Sequence, residues 1–302
     1  MNKSSFGSHF TVTTWGESHG KALGAVIDGC PAGLSLSEED IQKFLDRRKP
    51  GQSRYTTARK EGDLVEILSG VFEGKTTGTP ISLMVRNTDQ RSRDYGNIAY
   101  SYRPGHADYT FDAKYGFRDY RGGGRSSGRE TIGRVASGAV ASRLLASLGI
   151  SFCTYTKSIG PVSIKEFNPE EINNNAFYMP DADAAAKAGI YLEECMKNQD
   201  SAGGVIECRI SGVPAGLGNP VFEKLDAMLS QAVMSVGAVK AVEIGDGIQV
   251  AHMKGSEDND GFLIKDNVIT KASNHAGGIM GGISDGSEII LRAYIKPTPS
   301  IS

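Results

Sequence analysis

The sequence is poor in the features that mark secreted, metal-binding or membrane-spanning proteins. Its four cysteines form no Cys-x-x-Cys pair, and its five histidines show none of the spacings typical of metal ligands. We therefore expect free thiols in a reducing compartment and no metal site. No apolar run approaches the length of a membrane span, and the N-terminus lacks a signal-peptide pattern. These absences predict a cytoplasmic protein with no membrane partner.

A large excess of charge of one sign is also missing. The 302 residues include 33 basic and 35 acidic side chains, which gives a net charge of −2. Attraction of the whole molecule to nucleic acid is therefore not expected, and any anion must be bound by a local basic cluster. What the chain has in quantity is glycine, with 38 residues, where a typical chain has about 7%. The glycines lie between apolar segments, which indicates tight turns rather than disorder.

The pattern of apolar residues predicts an α+β fold. Helical periodicity runs from about residue 129 to 148 and from about 182 to 197. Segments typical of β-strands lie at 67–71, 80–85, 205–210, 241–244 and 289–295. Because helices and strands alternate irregularly and several strands are close in sequence, we predict antiparallel sheets layered with helices rather than a doubly wound parallel sheet.

A sequence motif in the first half of the chain is repeated in the second half. Residues 24–34 and 204–217 each contain a β-rich stretch that runs into Gly-x-Pro-Ala-Gly-Leu and then a helix. We expect the first helix to be capped by Ser37 and the second to start near Pro220. A coincidental turn motif would explain the likeness, but the shared order of strand, turn and helix favours an internal duplication.

The strongest local signal is the run 121–130, Arg-Gly-Gly-Gly-Arg-Ser-Ser-Gly-Arg-Glu. Ser127 and Glu130 have the spacing of a capping box at the start of the following helix. Free N–H groups at a helix N-terminus, glycines that admit a ligand and the charges of Arg125 and Arg134 favour binding of phosphate or carboxylate. A solvated basic turn is the alternative.

Two histidines lie in glycine-bounded polar loops and are candidates for acid–base chemistry. His19 lies in Trp-Gly-Glu-Ser-His-Gly, and His106 lies in Tyr-Arg-Pro-Gly-His-Ala-Asp-Tyr. The second belongs to the stretch 86–120, whose lack of regular pattern predicts a functional loop. A basic cluster at 47–54 and a glycine-rich segment at 273–284 are weaker signals by pattern alone.

Together these motifs resemble those of the chorismate synthase family. The resemblance rests on residues 16–20, 102–139 and 273–284 and follows the family order through nearly the whole chain. It implies a β-α-β sandwich with helices between antiparallel sheets, a single domain over residues 1–302 and a homotetramer. The implied activity is that of a carbon–oxygen lyase, the 1,4-anti elimination of phosphate from 5-enolpyruvylshikimate 3-phosphate to give chorismate. This is a reaction of the shikimate pathway of aromatic amino-acid biosynthesis, and it requires reduced FMN, with NADPH as a candidate reductant.

The resemblance also implies roles for individual residues. His19 matches the histidine that protonates the departing phosphate, and His106 matches the one near flavin N1. The matched flavin contacts are Arg125, Ser126, Ser127, Gly237, Ala238, Gly281, Lys296, Pro297, Thr298, Pro299 and Ser300. The matched contacts to substrate or NADP are Ser18, Arg48 and Arg54, and Arg134 is a further anion contact.

The chain departs from the family pattern at three places. Gly237 stands where a relative has asparagine, and Pro299 stands where serine is common, which removes side-chain hydrogen bonds and, at Pro299, a backbone donor. The family continues beyond Ser302 with a segment containing Arg-His-Asp-Pro, and we expect the natural protein to continue likewise. The alternatives are a flavin-dependent oxidoreductase, an inactive truncated form that binds flavin or anions, and an RNA-binding protein with an Arg-Gly-Gly run.

Overall fold

The computed structural model of the protein describes residues 4–52, 55, 61–88, 100–121 and 123–301. The chain divides into two compact units, Met1–Ser147 and Leu148–Ser302. The single domain expected from the family resemblance stays a prediction. None of the helices in the described residues combines the length and hydrophobicity needed to cross a lipid bilayer.

The first unit is built on a five-stranded antiparallel sheet. Its elements are β1 (Ser5–Phe6), β2 (Thr11–Gly16), β3 (Ala22–Asp28), α1 (Glu38–Arg48), β4 (Val65–Ser69), β5 (Val71–Phe72), β6 (Lys75–Thr76), β7 (Ile81–Arg86), α2 (Asp108–Tyr115) and α3 (Thr131–Ser147). The sheet order is β1-β2-β3-β7-β4, and β5 and β6 form a separate hairpin. Alternate residues of β3 and β7, such as Ile27 and Leu83, share one hydrophobic core with Ile41 of α1 and Val140 of α3.

The second unit contains another five-stranded antiparallel sheet. Its elements are β8 (Ser151–Ile159), β9 (Val162–Ser163), α4 (Ala182–Lys197), β10 (Gly204–Ser211), α5 (Leu225–Met234), β11 (Val239–Ile244), α6 (Gly255–Asp258), β12 (Phe262–Lys265), β13 (Val268–Lys271), β14 (Ile279–Met280), β15 (Ile283–Ser284) and β16 (Ile289–Ile295). The sheet order is β11-β16-β10-β8-β9. Asp181 caps α4, whose buried alanines pack beside Met179 and Ile159. The predicted α+β class with antiparallel sheets is therefore confirmed.

The two sheets repeat one strand order, which supports the predicted duplication. The order β2-β3-β7-β4 in the first unit corresponds to β8-β10-β16-β11 in the second. In each unit the second strand of this order leads through the Pro-Ala-Gly-Leu turn to a helix, α1 or α5, and then to the edge strand.

The repeated turns are held by matching hydroxyls. Thr76 Oγ1 donates to the proline carbonyl of the turn at 29–34 at 2.7 Å and accepts from the leucine N–H at 2.9 Å. Ser284 Oγ makes the same two bonds to the turn at 212–217, at 2.6 and 2.9 Å. A shared sequence with a shared hydrogen-bond pattern favours duplication over a coincidental turn motif.

Most predicted elements are confirmed, with three differences. The helices expected at 129–148 and 182–197 are α3 and α4, and Ser37 caps α1 by accepting from Asp40 N. The strand expected at 67–71 is interrupted at Gly70, which separates β4 from β5. The expected loop at 86–120 contains the unpredicted helix α2.

The third difference is the helix expected to start near Pro220. It begins instead at Leu225, so that prediction is wrong. Asn219 N donates to Glu223 O at 3.1 Å and closes a turn over the intervening residues. Leu225 N donates to Gly282 O at 2.8 Å, so contact with the β14–β15 turn sets the helix start.

Candidate active site

The first candidate histidine lies in the short connection between β2 and β3. β2 ends at Gly16 and β3 begins at Ala22, and the two strands pair up to that point. Gly16 has a φ of 85°, and an added Cβ would lie 2.3 Å from the carbonyl oxygen of Ala22. Ser18 Oγ and His19 Nδ1 lie 3.1 Å apart, and both residues are buried. The loop therefore holds an imidazole whose tautomer a neighbouring hydroxyl can set.

The second candidate histidine lies in a loop that an ion pair closes. Arg103 donates from N, Nε and Nη2 to the carboxylate of Asp108 at 3.0, 2.9 and 2.8 Å. These hydrogen bonds, with help from Arg118, lower the pKa of Asp108 to about 2. Between the paired residues, His106 Nδ1 lies 2.9 Å from Pro104 O. The loop around His106 is thus held closed by the charged residues on either side of it.

The glycine- and arginine-rich run forms two turns of 3₁₀ helix, Gly124–Ser126 and Gly128–Glu130, ahead of α3. The expected capping box is wrong, because Ser127 Oγ accepts from Arg129 N at 3.3 Å and caps only the second turn. The carboxylate of Glu130 turns away from the cap. It accepts from Thr14 Oγ1 at 2.9 Å and from Arg134 Nε at 2.7 Å.

Arg125 ties this run to the loop of the first histidine. Its Nη2 donates to Thr14 Oγ1 at 2.7 Å, and its Nη1 donates to Gly16 O at 3.2 Å. The guanidinium is only partly buried, with 28% of the side chain exposed. Arg125 therefore places positive charge beside the His19 loop while keeping a face open to solvent.

Arg129 points instead into a buried ionic cluster. Its Nη2 lies 2.8 Å from Glu61 Oε2 and 3.2 Å from Asp63 Oδ1, and Asp63 Oδ2 lies 3.2 Å from Arg48 Nη1. Burial lowers the pKa of Arg48, and Asp63 opposes that shift. Two cations and two carboxylates thus compensate each other. The candidate anion contact Arg48 is held in this cluster, whereas Arg54 lies outside the described residues.

A pocket of about 580 Å³ opens beside these loops. Its lining includes the aromatic residues Phe111, Phe117 and Tyr120 and the arginines Arg118, Arg121 and Arg125. Aromatic faces stack on a flat ring, and guanidinium groups bind phosphate through paired N–H donors. An added Cβ at Gly124 would meet no atom within 4 Å, so a ligand can approach the backbone there. The residues present therefore fit a phosphorylated aromatic group such as FMN.

Charged groups at the rim connect this pocket with the first histidine. Arg121 pairs with Asp119 at 2.8 Å and, by its hydrogen bond, lowers the pKa of that carboxyl. Glu17, two residues before His19, also lines the pocket. Among the described residues, no group of three or more histidine, cysteine, aspartate or glutamate side chains is arranged to hold a metal ion.

The remaining candidate flavin contacts belong to the second unit. Lys296 N donates to Ala238 O at 3.0 Å, so the segments 237–238 and 296–300 meet where β11 pairs with β16. Ser201 Oγ donates to Thr298 O at 2.7 Å and holds the second segment in place. Gly281 stands in the β14–β15 turn, where an added Cβ would meet no atom within 4 Å.

Three residues that hold the site in place were not predicted from the sequence: Glu61, Asp63 and Asn87. Asn87 Oδ1 accepts from Arg129 Nη2 at 2.8 Å, although the two residues are 42 positions apart. No local pattern marks such a partner. Its only signal is a polar residue two positions after the strand predicted at 80–85.

The fold and these contacts define a class of protein. It is an α+β protein with two histidines in constrained loops, next to a pocket suited to a small anionic aromatic ligand. Such a site is typical of an enzyme that performs acid–base chemistry on a phosphorylated small molecule.

Comparison with known proteins identifies the family. The family model described as chorismate synthase matches residues 10–302. A chorismate synthase of Agathobacter rectalis is 65% identical, covering 100% of this chain and 83% of its own length, and one of Methanosarcina mazei is 56% identical, covering 98% and 82%. A crystal structure of chorismate synthase matches with a TM-score of 0.82 at 34% identity, over 97% of this chain and 86% of that one. The chain belongs to the chorismate synthase family, and the expected resemblance is confirmed.

Proposed function

We propose that this protein converts 5-enolpyruvylshikimate 3-phosphate to chorismate by 1,4-anti elimination of phosphate with reduced FMN. Membership of the chorismate synthase family supports the reaction. The observation that carries the proposal for this site is the hydrogen bond from Arg125 to Gly16 O, 3.2 Å long. It brings a run of residues suited to anion binding against the loop that carries His19.

In this proposal the two histidines act at different atoms. His19 donates a proton to the phosphate oxygen as the carbon–oxygen bond breaks, because a protonated phosphate is the better leaving group. Ser18 Oγ, 3.1 Å from Nδ1, orients the ring for that transfer. By the family resemblance, His106 would hold or release a proton beside the flavin ring and so govern the charge of the ring. Arg54 and Arg134, and Arg48 in addition to its pairing with Asp63, are the arginines that the family resemblance gives to the phosphate and carboxylates of the substrate.

The proposed flavin contacts are those that the family resemblance implies. Arg125, Ser126 and Ser127 are such contacts in the first unit, and Gly237, Ala238, Gly281 and residues 296–300 are such contacts in the second. When bound, reduced FMN would supply electron density for cleavage of the carbon–oxygen bond. The open backbone at Gly124 and Gly281 supports close approach of such a ligand.

An anaerobic assay with chemically reduced FMN tests the proposal. Chorismate and inorganic phosphate are expected in equal amounts, and neither His19→Ala nor His106→Ala should retain more than about 1% of the rate. His252→Ala, at an exposed histidine of a 3₁₀ turn, is the matched control and should stay near the wild-type rate. Near-normal turnover in either test variant would refute the role given to that histidine.

The same assay separates the alternatives. A flavin-dependent oxidoreductase would consume NADPH mole for mole with product, whereas NADPH acting only as a reductant of FMN would be consumed in catalytic amounts. An inactive flavin- or anion-binding form would bind FMN without releasing phosphate.

We further propose that the protein is a cytoplasmic homotetramer, as the family resemblance implies. Light scattering coupled to gel filtration should give four times the mass of one chain. A monomer at working concentrations would contradict the proposal.

A further inference from the structure

We propose that Asn87 is a positioning residue, which holds the His19 loop in the geometry that proton transfer to the leaving phosphate requires. The inference rests on the proposed function of His19. Asn87 contacts the backbone of the His19 loop. It is not among the residues for which the family resemblance implies a contact to flavin, substrate or NADP.

The side-chain amide of Asn87 bridges the two ends of the His19 loop. Nδ2 donates to Glu17 O at 3.0 Å and to Gly20 O at 2.7 Å, the two carbonyls that flank Ser18 and His19. Gly20 N donates to Glu17 O at 3.1 Å, so the same segment is also tied to itself. One amide group therefore bridges the ends of the segment that carries the hydroxyl–imidazole pair and adds to the bond between them.

A charged partner fixes which way this amide faces. Oδ1 accepts from Arg129 Nε at 3.1 Å and from Nη2 at 2.8 Å. A guanidinium has only donors, so the amide oxygen must face Arg129 and the nitrogen must face the loop. Arg129 is itself buried and held by Glu61 and Asp63, so it cannot move to accommodate a flipped amide. The ionic cluster thus serves as the fixed base from which Asn87 reaches the His19 loop.

Because of these contacts, a substitution of equal size can disturb the position of the His19 loop without changing how the side chain packs. Asn87→Asp keeps the size of the side chain and its bond to Arg129, but it sets a carboxylate oxygen against two carbonyl oxygens. The loop must then shift, while the anchor keeps its charge pairing. Displacement of a catalytic group by about 1 Å can lower the rate by about 10²-fold.

Asn175 in the second unit offers a matched control. Its Nδ2 donates to Glu171 O and Met179 O, both at 2.8 Å, and its Oδ1 accepts from Phe177 N and Met179 N, both at 3.1 Å. Asn175→Asp therefore makes the same chemical change in a loop that carries no candidate catalytic residue.

The test is a double-mutant cycle on the full chain with reduced FMN and 5-enolpyruvylshikimate 3-phosphate. Asn87→Asp should lower kcat by about 10²-fold with KM changed by less than about threefold. In a His19→Gln background the same substitution should cost less than about threefold, because the group that it positions is absent. Asn175→Asp should leave kcat unchanged in both backgrounds. Equal losses from Asn87→Asp with and without His19 would mean a merely structural role and would overturn the proposal.

A measurement that does not depend on turnover tests the positioning role of Asn87 separately from the proposed function. The ¹⁵Nδ1 chemical shift of His19, measured at one pH in the resting protein, should change in Asn87→Asp and stay unchanged in Asn175→Asp. If the wild type releases no phosphate while this shift still moves, the proposed function fails and the positioning role stands. An unmoved shift refutes the positioning role even in an active enzyme. Should Asn87→Asp fail to fold, Asn87→Ser, which also loses the bridging donor, takes its place.

Discussion

At the scale of single residues, Asp108 shows how a charge behind the site stabilises a loop that carries a candidate catalytic group. Its hydrogen bonds with Arg103 hold the folded-state pKa at about 2, below the ordinary value of 3.8. A carboxyl whose pKa is depressed on folding stabilises the fold fully above its unfolded pKa. That contribution is lost as the pH falls through the folded pKa. The difference corresponds to about 2 kcal/mol.

We expect Asp108→Asn to lower the free energy of unfolding at pH 7 by about 2 kcal/mol or more. The variant should also lose less stability than the wild type between about pH 4 and pH 2, the window set by the two pKa values. Urea unfolding at several pH values measures both effects. Asp183→Asn, in an exposed i,i+4 pair with Lys187, is the control, with an expected change below about 0.5 kcal/mol. A wild-type pH dependence in Asp108→Asn would contradict this account.

Arg125 gives a second prediction at this scale, on ligand binding. FMN at about 100 times its Kd should raise the free energy of unfolding by about 2.7 kcal/mol. Arg125→Lys keeps the charge but cannot reproduce the paired bonds to Thr14 Oγ1 and Gly16 O, so most of this increase should disappear. Thermal unfolding with and without FMN measures it. Arg86→Lys, which alters an exposed pair with Glu66, should keep the full increase. An undiminished effect of FMN on Arg125→Lys would remove Arg125 from the flavin site.

At the scale of elements, α3 shows how small residues allow a helix to lie close to a sheet. An added Cβ at Gly133 would lie 2.8 Å from Gly24 O on β3 and 3.0 Å from a methyl carbon of Thr14 on β2. At Gly138 on the same helix, an added Cβ would meet no atom within 4 Å. The same substitution should therefore have opposite effects at the two positions.

Gly133→Ala should destabilise the protein by about 1–3 kcal/mol, because backbone atoms on the sheet cannot move aside. Gly138→Ala should stabilise it by up to about 1 kcal/mol, since alanine favours the helix. Urea unfolding of the two variants measures the difference. Two changes of the same sign would show that the gap between α3 and the sheet adjusts freely.

Elements with strong local signals could be predicted from the sequence, and those that depend on distant partners could not. Ser37 and the apolar positions that follow it define α1 locally, and α4 was predicted over the range observed. By contrast, α5 begins at Leu225 because its N–H finds an acceptor at Gly282, far along the chain. The helix α2 has mixed polar and aromatic residues without an apolar stripe, so periodicity gave no sign of it.

The candidate site likewise contains residues that could be predicted from the sequence and residues that could not. His19, His106 and Arg125 stand in short motifs whose glycines and charges are visible in the sequence. The residues that hold them, such as Asn87 and Asp63, have ordinary sequence surroundings, and their role exists only through contacts with Arg129. The predicted capping box failed for the same reason, because Glu130 found partners on β2 and on α3 that local spacing does not reveal.

At the scale of the whole molecule, the two units share strand order and turn chemistry although little of their sequence is alike. The matched hydroxyls of Thr76 and Ser284 lie in the hairpins β5–β6 and β14–β15, which occupy the same place in each unit. Both hydroxyl residues are 3% exposed, and each joins its hairpin to the turn by one donated and one accepted hydrogen bond. The repeated hydrogen bonds are therefore expected to stabilise each unit to a similar extent.

Thr76→Val and Ser284→Ala should each lower the free energy of unfolding by about 1–2 kcal/mol, because each removes the two hydrogen bonds that join the turn to the hairpin. Thr76→Ser and Ser284→Thr exchange the two hydroxyl residues between the units and should cost less than about 1 kcal/mol, since both bonds can still form. Thr79→Val removes a hydroxyl from an exposed pair with Thr77 and should change stability by less than about 0.5 kcal/mol. Urea unfolding of the five variants measures these changes in the free energy of unfolding. If one unit tolerates loss of the hydroxyl and the other does not, the turns are alike in geometry only, and their equivalence as a structural repeat would have to rest on strand order alone.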